Sequence, residues 1–525
     1  MLLEFQADHL GDVVLPSGWV SCVRSGPDGL RFTGDRTGFR ELFIHCGPKS
    51  GAAATSLGEL LGHLGRKDVA VELNPFGISS ALHHGLVPFP HTEYKDIYSL
   101  SMGDVADLGV RGGSLTIELH NDYPWTEDRS RNDGEPSEER LLELLAASTA
   151  RQLNDAGNDG FLMLSSGKDS PALALALAEC GLAHIPCVTY SSGDLDPEPP
   201  VAAEICRRLG LQHEIVEMSD DPNKTAETLT RFFEASARPG VDLSQIPYVL
   251  ATDAVTPAQG AVIDGCGNDY YMGYPPTGHD VIKPRFRIRG RAAAVALQRV
   301  FPVDSPMNYF ARSRAEVTLP GRTMRPHHGR RLYEDGVDTG RFWHDASRET
   351  RHLSLIDLYA VINVRHTGPG GSVQKLRLVA NSAGMSAALP WCDNDVADYY
   401  FNLREPYRYD RETGKNKLLL RKMLHRYLDY DADAIGKHYF QFDGPGFLQR
   451  NDEFVRSEID LCELWEPDGL RLVNKWLDRV ESRPLLYHAL ITIFMVSGWH
   501  NHSRYLSGSR SVSESVQLPS RRSPS

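Results

Sequence analysis

The segment Phe161-Leu-Met-Leu-Ser-Ser-Gly-Lys-Asp-Ser170 runs from four apolar residues straight into a small polar turn, and Pro171 follows, opening the run Ala172-Leu-Ala-Leu-Ala-Leu-Ala178. Proline suits the first helical position, where its missing N–H costs nothing. The pattern predicts a buried strand, a tight turn and a helix. A Gly/Ser turn at a helix N-terminus lets backbone N–H groups and the positive helix end converge on an anion, so this turn is expected to bind a phosphate. It is not a Walker A loop, because the Gly-x-x-x-x-Gly-Lys-[Ser/Thr] spacing is missing. Asp169 is acidic where a phosphate cradle normally avoids negative charge, which makes sense if a divalent cation sits between the two. The same residues also fit an ordinary strand-to-helix connection with capping serines.

A second segment weighs against that plainer reading. Gly260-Ala-Val-Ile-Asp-Gly-Cys-Gly-Asn-Asp269 again runs from an apolar strand into a Gly-rich acidic turn. Two such turns on neighbouring strands of an open α/β sheet would face one ligand across the crevice at the strand ends. Asp169 and Asp269 would then share a magnesium ion.

With both loops in view, the chain resembles the asparagine synthetase family and its relatives, the β-lactam synthetases and lasso-peptide macrolactam synthetases. Ser165-Ser-Gly-Lys-Asp-Ser170 is similar to the family's Ser-Gly-Gly-x-Asp-Ser pyrophosphate loop, with Ser166 in place of the first glycine, and Asp264-Gly-Cys-Gly-Asn-Asp269 is similar to its acidic second loop. Between them, Pro186–Tyr190, Asp194–Pro200, Ala202–Gly210 and His213–Val216 read as strand, loop, helix and strand. Further on, Ala387-Ala-Leu-Pro-Trp-Cys-Asp-Asn394 resembles the family's Pro-x-x-Asp segment and Gly414–Arg421 its Lys-x-x-Leu-Arg helix. The resemblance implies an α/β fold in which an adenine-nucleotide α-hydrolase-like (PP-loop) synthetase domain ends in a helical part. It also implies ATP and Mg2+ as cofactors, with Ser165, Ser166, Gly167, Asp169, Ser170, Gly265, Gly267 and Asp269 at the nucleotide and Asp169 and Asp269 on the metal.

Residues Asp35–Phe43 with Gly85, Thr92, Ile97, Leu100 and Gly103 resemble more faintly the scaffold of the family's glutaminase domain, an Ntn-hydrolase-like α+β sandwich. That domain exposes a nucleophilic cysteine directly after the initiator methionine. Here Leu2 and Leu3 occupy the place, and Cys22 lies within the chain without a free α-amino group to act as base. The resemblance therefore implies a degenerate scaffold without glutamine hydrolysis.

Punctuation divides the chain. Residues 1–121 alternate short apolar runs with Gly, Pro and Asp turns, as a β-rich layer does. Residues 122–137 are polar and read as a linker, and the leucines from Glu138 onward recur at helical spacing. The synthetase part is expected over 138–506, with the α/β core running to about Tyr274 and a mostly helical pattern beyond about Leu355. The serine-rich segment 507–525 has no apolar period and is expected to be disordered. A length of 525 residues with 41% hydrophobic content supports two or three cores. The net charge of −13 argues against general nucleic-acid binding. Eight cysteines without a Cys-x-x-Cys pair suggest neither zinc nor a disulfide framework. No apolar run reaches membrane-spanning length and no basic-then-apolar leader opens the chain, so a soluble, cytoplasmic protein is expected. The basic stretch from Ile282 to Arg331 reads as a solvated surface or as a guide for an anionic substrate.

The chemistry implied by the resemblance is activation of a carboxylate by ATP, giving an acyl-adenylate and pyrophosphate, followed by attack of an amine. The partners expected are small-molecule or peptide carboxylates and amines, and beyond these a second copy of the chain or a partner biosynthetic enzyme. Lys437, ahead of Gly444-Pro-Gly446, matches the lysine that stabilises charge in the family's transition states, with Lys415 or Lys417 as the fallback. Two departures weaken the β-lactam reading. Cys266 stands where the family has glutamate, or tyrosine in the β-lactam synthetases, and Ser386 where it commonly has glutamate; the resemblance implies that these two positions form the base dyad that deprotonates the amine in the β-lactam synthetases, and neither cysteine nor serine is a good base near neutrality. His366, His438 and Tyr439 are the other candidates for positioning the amine. An amide- or lactam-forming ligase leads. Ammonia-dependent asparagine synthesis and a non-catalytic nucleotide-binding scaffold are the alternatives.

Overall fold

The computed structural model describes residues 1–506 apart from 14–21, 25–28, 127–133, 192, 194–195, 218, 220, 256–258, 273–295, 297–311, 320–322 and 436–441. Lys437, His438 and Tyr439, most of the basic stretch and the segment 507–525 lie outside the described residues.

Eight short strands build the first part: β1 (Leu2–Gln6), β2 (Cys22–Arg24), β3 (Leu30–Thr33), β4 (Leu42–Cys46), β5 (Ser50–Ala54), β6 (Ile97–Leu100), β7 (Asp104–Arg111) and β8 (Ser114–Asn121). They form two four-stranded antiparallel sheets, β1-β5-β4-β6 and β2-β3-β7-β8. Alternation decides which residues meet. Leu3, Phe5, Ile44 and Ala53 of the first sheet face Leu30, Phe32, Ala106 and Leu108 of the second in one apolar layer. The opposite face of the first sheet, with Phe43, Ala52, Ala54 and Ile97, is covered by the helices Leu57–Arg66 and Pro75–His84. Those helices share a core with the C-terminal helix Tyr487–His502, in which every residue from Ala489 to Trp499 is buried. A helix apolar all round has to be enclosed on every side. The first part is thus fused to the last through one continuous core.

The segment after β8 is less of a free linker than its polarity suggests, since Tyr123 and Trp125 are buried and the Trp125 indole donates to the Arg36 carbonyl at 2.6 Å. At Ser137 the hydroxyl accepts from the Arg140 N–H at 3.1 Å and starts the helix Glu138–Asp155, which buries Leu141, Leu142, Leu145 and Leu153.

Five parallel strands follow: β9 (Gly160–Met163), β10 (Cys187–Ser191), β11 (His213–Glu217), β12 (Ala261–Ile263) and β13 (Ser386–Ala388), in the order β11-β10-β9-β12-β13. Parallel strands buried on both faces read as unbroken apolar runs, as Phe161-Leu162 and Ala261-Val-Ile263 do. Two helix groups flank the sheet, Glu138–Asp155 with Asp169–Glu179 and Glu198–Leu209 in one, Pro222–Ala235 with Gln245–Ala254 and Gln374–Ser382 in the other. The strand order reverses between β9 and β12, so the loops leaving these two strands diverge and open a crevice. Two expectations are corrected here. The helix after the first loop begins at Asp169, two residues before Pro171, so the proline sits inside the first turn. The sheet is completed by β13, which comes from the stretch read as helical. Among the described residues no helix is long and apolar enough to cross a membrane.

Candidate active site

The two acidic loops lie side by side at the ends of β9 and β12. Their approach is close. A Cβ on Gly265 would come within 2.8 Å of the Ser170 nitrogen and 3.1 Å of the Asp169 side chain, so only glycine lets the second loop pass the first. The first loop is braced from within: the Ser170 hydroxyl accepts from the Ser165 N–H at 3.0 Å and lies 3.0 Å from the Ser165 hydroxyl. Tyr430 ties the turn down from outside, its hydroxyl donating to the Ser166 carbonyl and, at 3.2 Å, to that of Gly167. The Trp391 indole donates to the Asp169 carbonyl at 3.2 Å.

Between the loops and the strand ends lies a cleft of about 250 Å³. Ser165, Gly167, Asp169, Ser170, Gly265 and Asp269 line it, along with Leu164, Val188, Tyr190, Tyr248, Asp264 and Cys266. Two other predicted residues have different surroundings. Ser166 is fully buried, and its hydroxyl has no hydrogen-bond partner among the described residues. Gly267 is buried with φ +118°, where a Cβ would strike the Cys392 sulfur at 2.4 Å. It shapes the loop through packing.

The centre of the site is Lys417. Its ammonium lies 2.5 Å from Asp169 Oδ2 and 3.1 Å from Asp269 Oδ1, with the side chain 5% exposed. Asn268 holds the other Asp169 oxygen through its amide at 3.0 Å. Burial by itself depresses the lysine pKa, but the two carboxylates outweigh burial and hold it above the ordinary value. The residue starts the helix Leu418–Leu428 from the left-handed region, φ 59°, a conformation that costs a non-glycine residue about 1–2 kcal/mol. The sequence reading placed Lys417 only as a fallback. Lys415 is instead on the surface, paired with Asp433 at 2.7 Å.

The convergence of two carboxylates on one cation also answers whether the residues present suit a magnesium ion. Magnesium is commonly held by one or two carboxylates together with substrate phosphates. Asp169 and Asp269 fit that requirement, and the glycine-lined turn beside them fits the phosphates.

A second cluster lies in the same cleft. Tyr248, on the helix Gln245–Ala254, donates its hydroxyl to Asp264 Oδ2 at 2.9 Å, and the Cys266 N–H donates to Asp264 Oδ1 at 2.8 Å. The Lys375 ammonium sits 3.7 Å from the centre of the Tyr248 ring and donates to the Ser244 hydroxyl at 3.0 Å. Burial first, and then the neighbouring Asp264, push the Cys266 thiol well above its ordinary value, so it stays protonated near neutrality. Ser386 is remote from it. It pairs with Ala261 at the first position of β12, whereas Cys266 lies beyond that strand's last residue. The two positions where the resemblance implied a base dyad are therefore not brought together. Asp393 caps the helix Asn394–Phe401 and pairs with Arg151. His366 is also outside the cleft, buried against Phe89 and Trp343 and accepting the Phe89 N–H at 3.1 Å. Tyr248 and Lys375 carried no local signal in the sequence, whereas Asp264 stood inside the second motif without an assigned role.

Comparison with known proteins yields one family. A family model described as asparagine synthase matches residues 140–456, more than half of the chain. No curated protein matches the chain.

Proposed function

The chain belongs to the asparagine synthase family of ATP-dependent ligases, and from that premise we propose that it adenylates a carboxylate, releases pyrophosphate and joins the acyl group to an amine. The observation that carries this reading is the pair Asp169 and Asp269 meeting at one cation beside the glycine-lined turn. The backbone N–H groups at the start of the helix Asp169–Glu179 would take the pyrophosphate oxygens. Leu164, Val188 and Tyr190 offer an apolar wall suited to a planar base. A bound magnesium ion would offset the charge that develops on the leaving pyrophosphate. Lys417 holds the two carboxylates in register, and its ammonium would be available to phosphate oxygens when magnesium is bound by Asp169 and Asp269. Lys437, the lysine the resemblance matched to the transition-state role, lies outside the described residues.

We read residues 1–121 as a retained, degenerate glutaminase-like scaffold and the amine or ammonia as supplied directly. Leu3 is buried between the two antiparallel sheets and Leu2 packs on the opposite face, so neither offers a nucleophile. An amide, lactam or macrolactam made in a specialised pathway suits this arrangement better than asparagine, since the thiol of Cys266 replaces the family's usual acid.

The test is ATP–pyrophosphate exchange across a panel of amino, keto and dicarboxylic acids, with glutamate release from glutamine followed in parallel. Acid-dependent exchange in the wild type, lost by more than about a hundredfold in Asp169→Asn and Asp269→Asn, is expected. Near-normal exchange in either variant would remove the metal role, and turnover of glutamine above background would overturn the reading of the first part.

A further inference from the structure

An amine entering this cleft near neutrality carries a proton that must leave before its lone pair can attack. The two positions that resemblance would assign to this task hold Cys266, whose thiol stays protonated, and Ser386, at the far end of β13. We propose that Tyr248 and Asp264 form the proton-accepting pair for the attacking amine, a tyrosine–carboxylate dyad assembled from other places in the chain. The inference rests on the ligase reading above and concerns its second half-reaction.

The geometry suits the role. Asp264 and Tyr248 both line the cleft that holds Asp169 and Asp269, and Asp264 adjoins Gly265, the residue in closest approach to the first loop. An ionised carboxylate offers about four acceptor sites. Tyr248 engages one oxygen at 2.9 Å and the Cys266 N–H the other at 2.8 Å, which fixes the carboxylate's orientation while leaving acceptor capacity. Burial and then Asp264 raise the Tyr248 pKa well above the phenol's usual value, so its hydroxyl keeps its proton and acts as a fixed donor. The charged and titratable groups facing the pair are Lys375 on the helix Gln374–Ser382, Asp242 ahead of the Tyr248 helix, Cys266 in the loop itself and the buried Cys392. Lys375 contributes a positive charge next to the dyad, held in place by Ser244.

The ammonium form of the substrate gives one proton to Asp264. The freed lone pair on nitrogen forms the C–N bond at the acyl carbon, the bond from that carbon to the phosphoryl oxygen breaks, and AMP leaves with the electron pair. The second proton on nitrogen passes to water as the amide forms. Asp264 is the catalytic residue in this scheme and Tyr248 a positioning residue.

A turn-capping role alone would place little demand on the charge of Asp264, because in an asparagine the carbonyl oxygen still accepts the Cys266 N–H while the amide NH2 donates to the Tyr248 hydroxyl. Asp264→Asn therefore separates the two roles. Wild type and variant are compared with the acid that supports exchange in the wild type, using ammonium chloride, which is protonated near neutrality, and hydroxylamine, which is not. Expected for the variant are exchange within about threefold of wild type, loss of about a hundredfold or more in kcat with ammonium, and near-wild-type kcat with hydroxylamine. Tyr248→Phe should show the same nucleophile dependence with a smaller loss of about tenfold. Equal loss with both nucleophiles, or unchanged turnover with ammonium, overturns the assignment. Loss of exchange in Asp264→Asn with full protein recovery overturns it too, by moving Asp264 to the acid or nucleotide. Absence of exchange in the wild type with every acid defeats the ligase reading itself, and the dyad falls with it.

Discussion

Replacing Lys417 by methionine removes a cation from between two carboxylates while keeping an unbranched apolar stem in the buried channel. At an effective dielectric of about 20, a charge pair at 2.5–3.1 Å is worth roughly 5–7 kcal/mol before solvent is considered. The carboxylates are 26% and 46% exposed, so water recovers much of that for Asp269 and less for Asp169. Loss of one partner of a buried pair costs about 3–5 kcal/mol. With the discount for these exposed partners, the variant should be less stable by about 2–3 kcal/mol in EDTA. Methionine inherits the left-handed backbone at φ 59°, so the difference reports the side chain and not the main chain. The lysine's raised pKa means that its contribution is complete at neutral pH and is lost only as pH rises through the folded value, far into the alkaline range. The two unpaired carboxylates should then recruit magnesium. At a concentration about a hundred times the dissociation constant, binding restores roughly 2.7 kcal/mol. Thermal unfolding in EDTA and in rising MgCl2, with pyrophosphate exchange measured on the same samples, is the assay. The expected result is a lowered Tm that MgCl2 restores and an exchange rate, down by about two orders of magnitude, that it does not. A wild-type Tm in EDTA would refute the electrostatic argument. A Tm insensitive to MgCl2 would refute the metal site.

Two further outcomes are expected. Gly265→Ala pushes a methyl group into the backbone at Ser170 and should separate the loops, lowering exchange by about tenfold or more together with a lowered Tm; an unaffected rate would mean that the loops need not touch. Burial first, then Arg365 and His91, lower the His366 pKa well below 6.5, so the unfolded chain takes up the proton that the folded chain refuses. Stability attached to this residue is therefore full above about pH 6.5 and lost as pH falls toward the folded value. Between pH 7 and pH 5 the wild-type Tm should drop more steeply than that of His366→Asn, whose amide oxygen can still accept from Phe89; parallel slopes would assign the acid sensitivity elsewhere.

Much of the site was legible because its parts are local. An apolar strand running into Ser165-Ser-Gly-Lys-Asp-Ser170, and another into Asp264-Gly-Cys-Gly-Asn-Asp269, each encode a strand, a turn and a helix start within ten residues, and those short-range patterns determine the two acidic turns. Their adjacency is consistent with parallel strands on either side of a reversal in strand order. What the sequence did not disclose depends on chain segments that meet only after folding. Lys417 reaches Asp169 across 248 residues from a left-handed helix start that no propensity favours for lysine. Tyr248 meets Asp264 because the helix Gln245–Ala254 packs beside the end of β12, and Lys375 arrives over the Tyr248 ring from a third element. Ser386, adjacent in sequence to the Pro-x-x-Asp segment, is carried to the other end of the sheet by the register of β13 with β12. Residue type and spacing therefore decided where anions and metal would be handled. Which lysine neutralises the carboxylates, and which carboxylate faces the amine, were decided by packing, because a charge acts over a few ångströms of space irrespective of its distance along the chain.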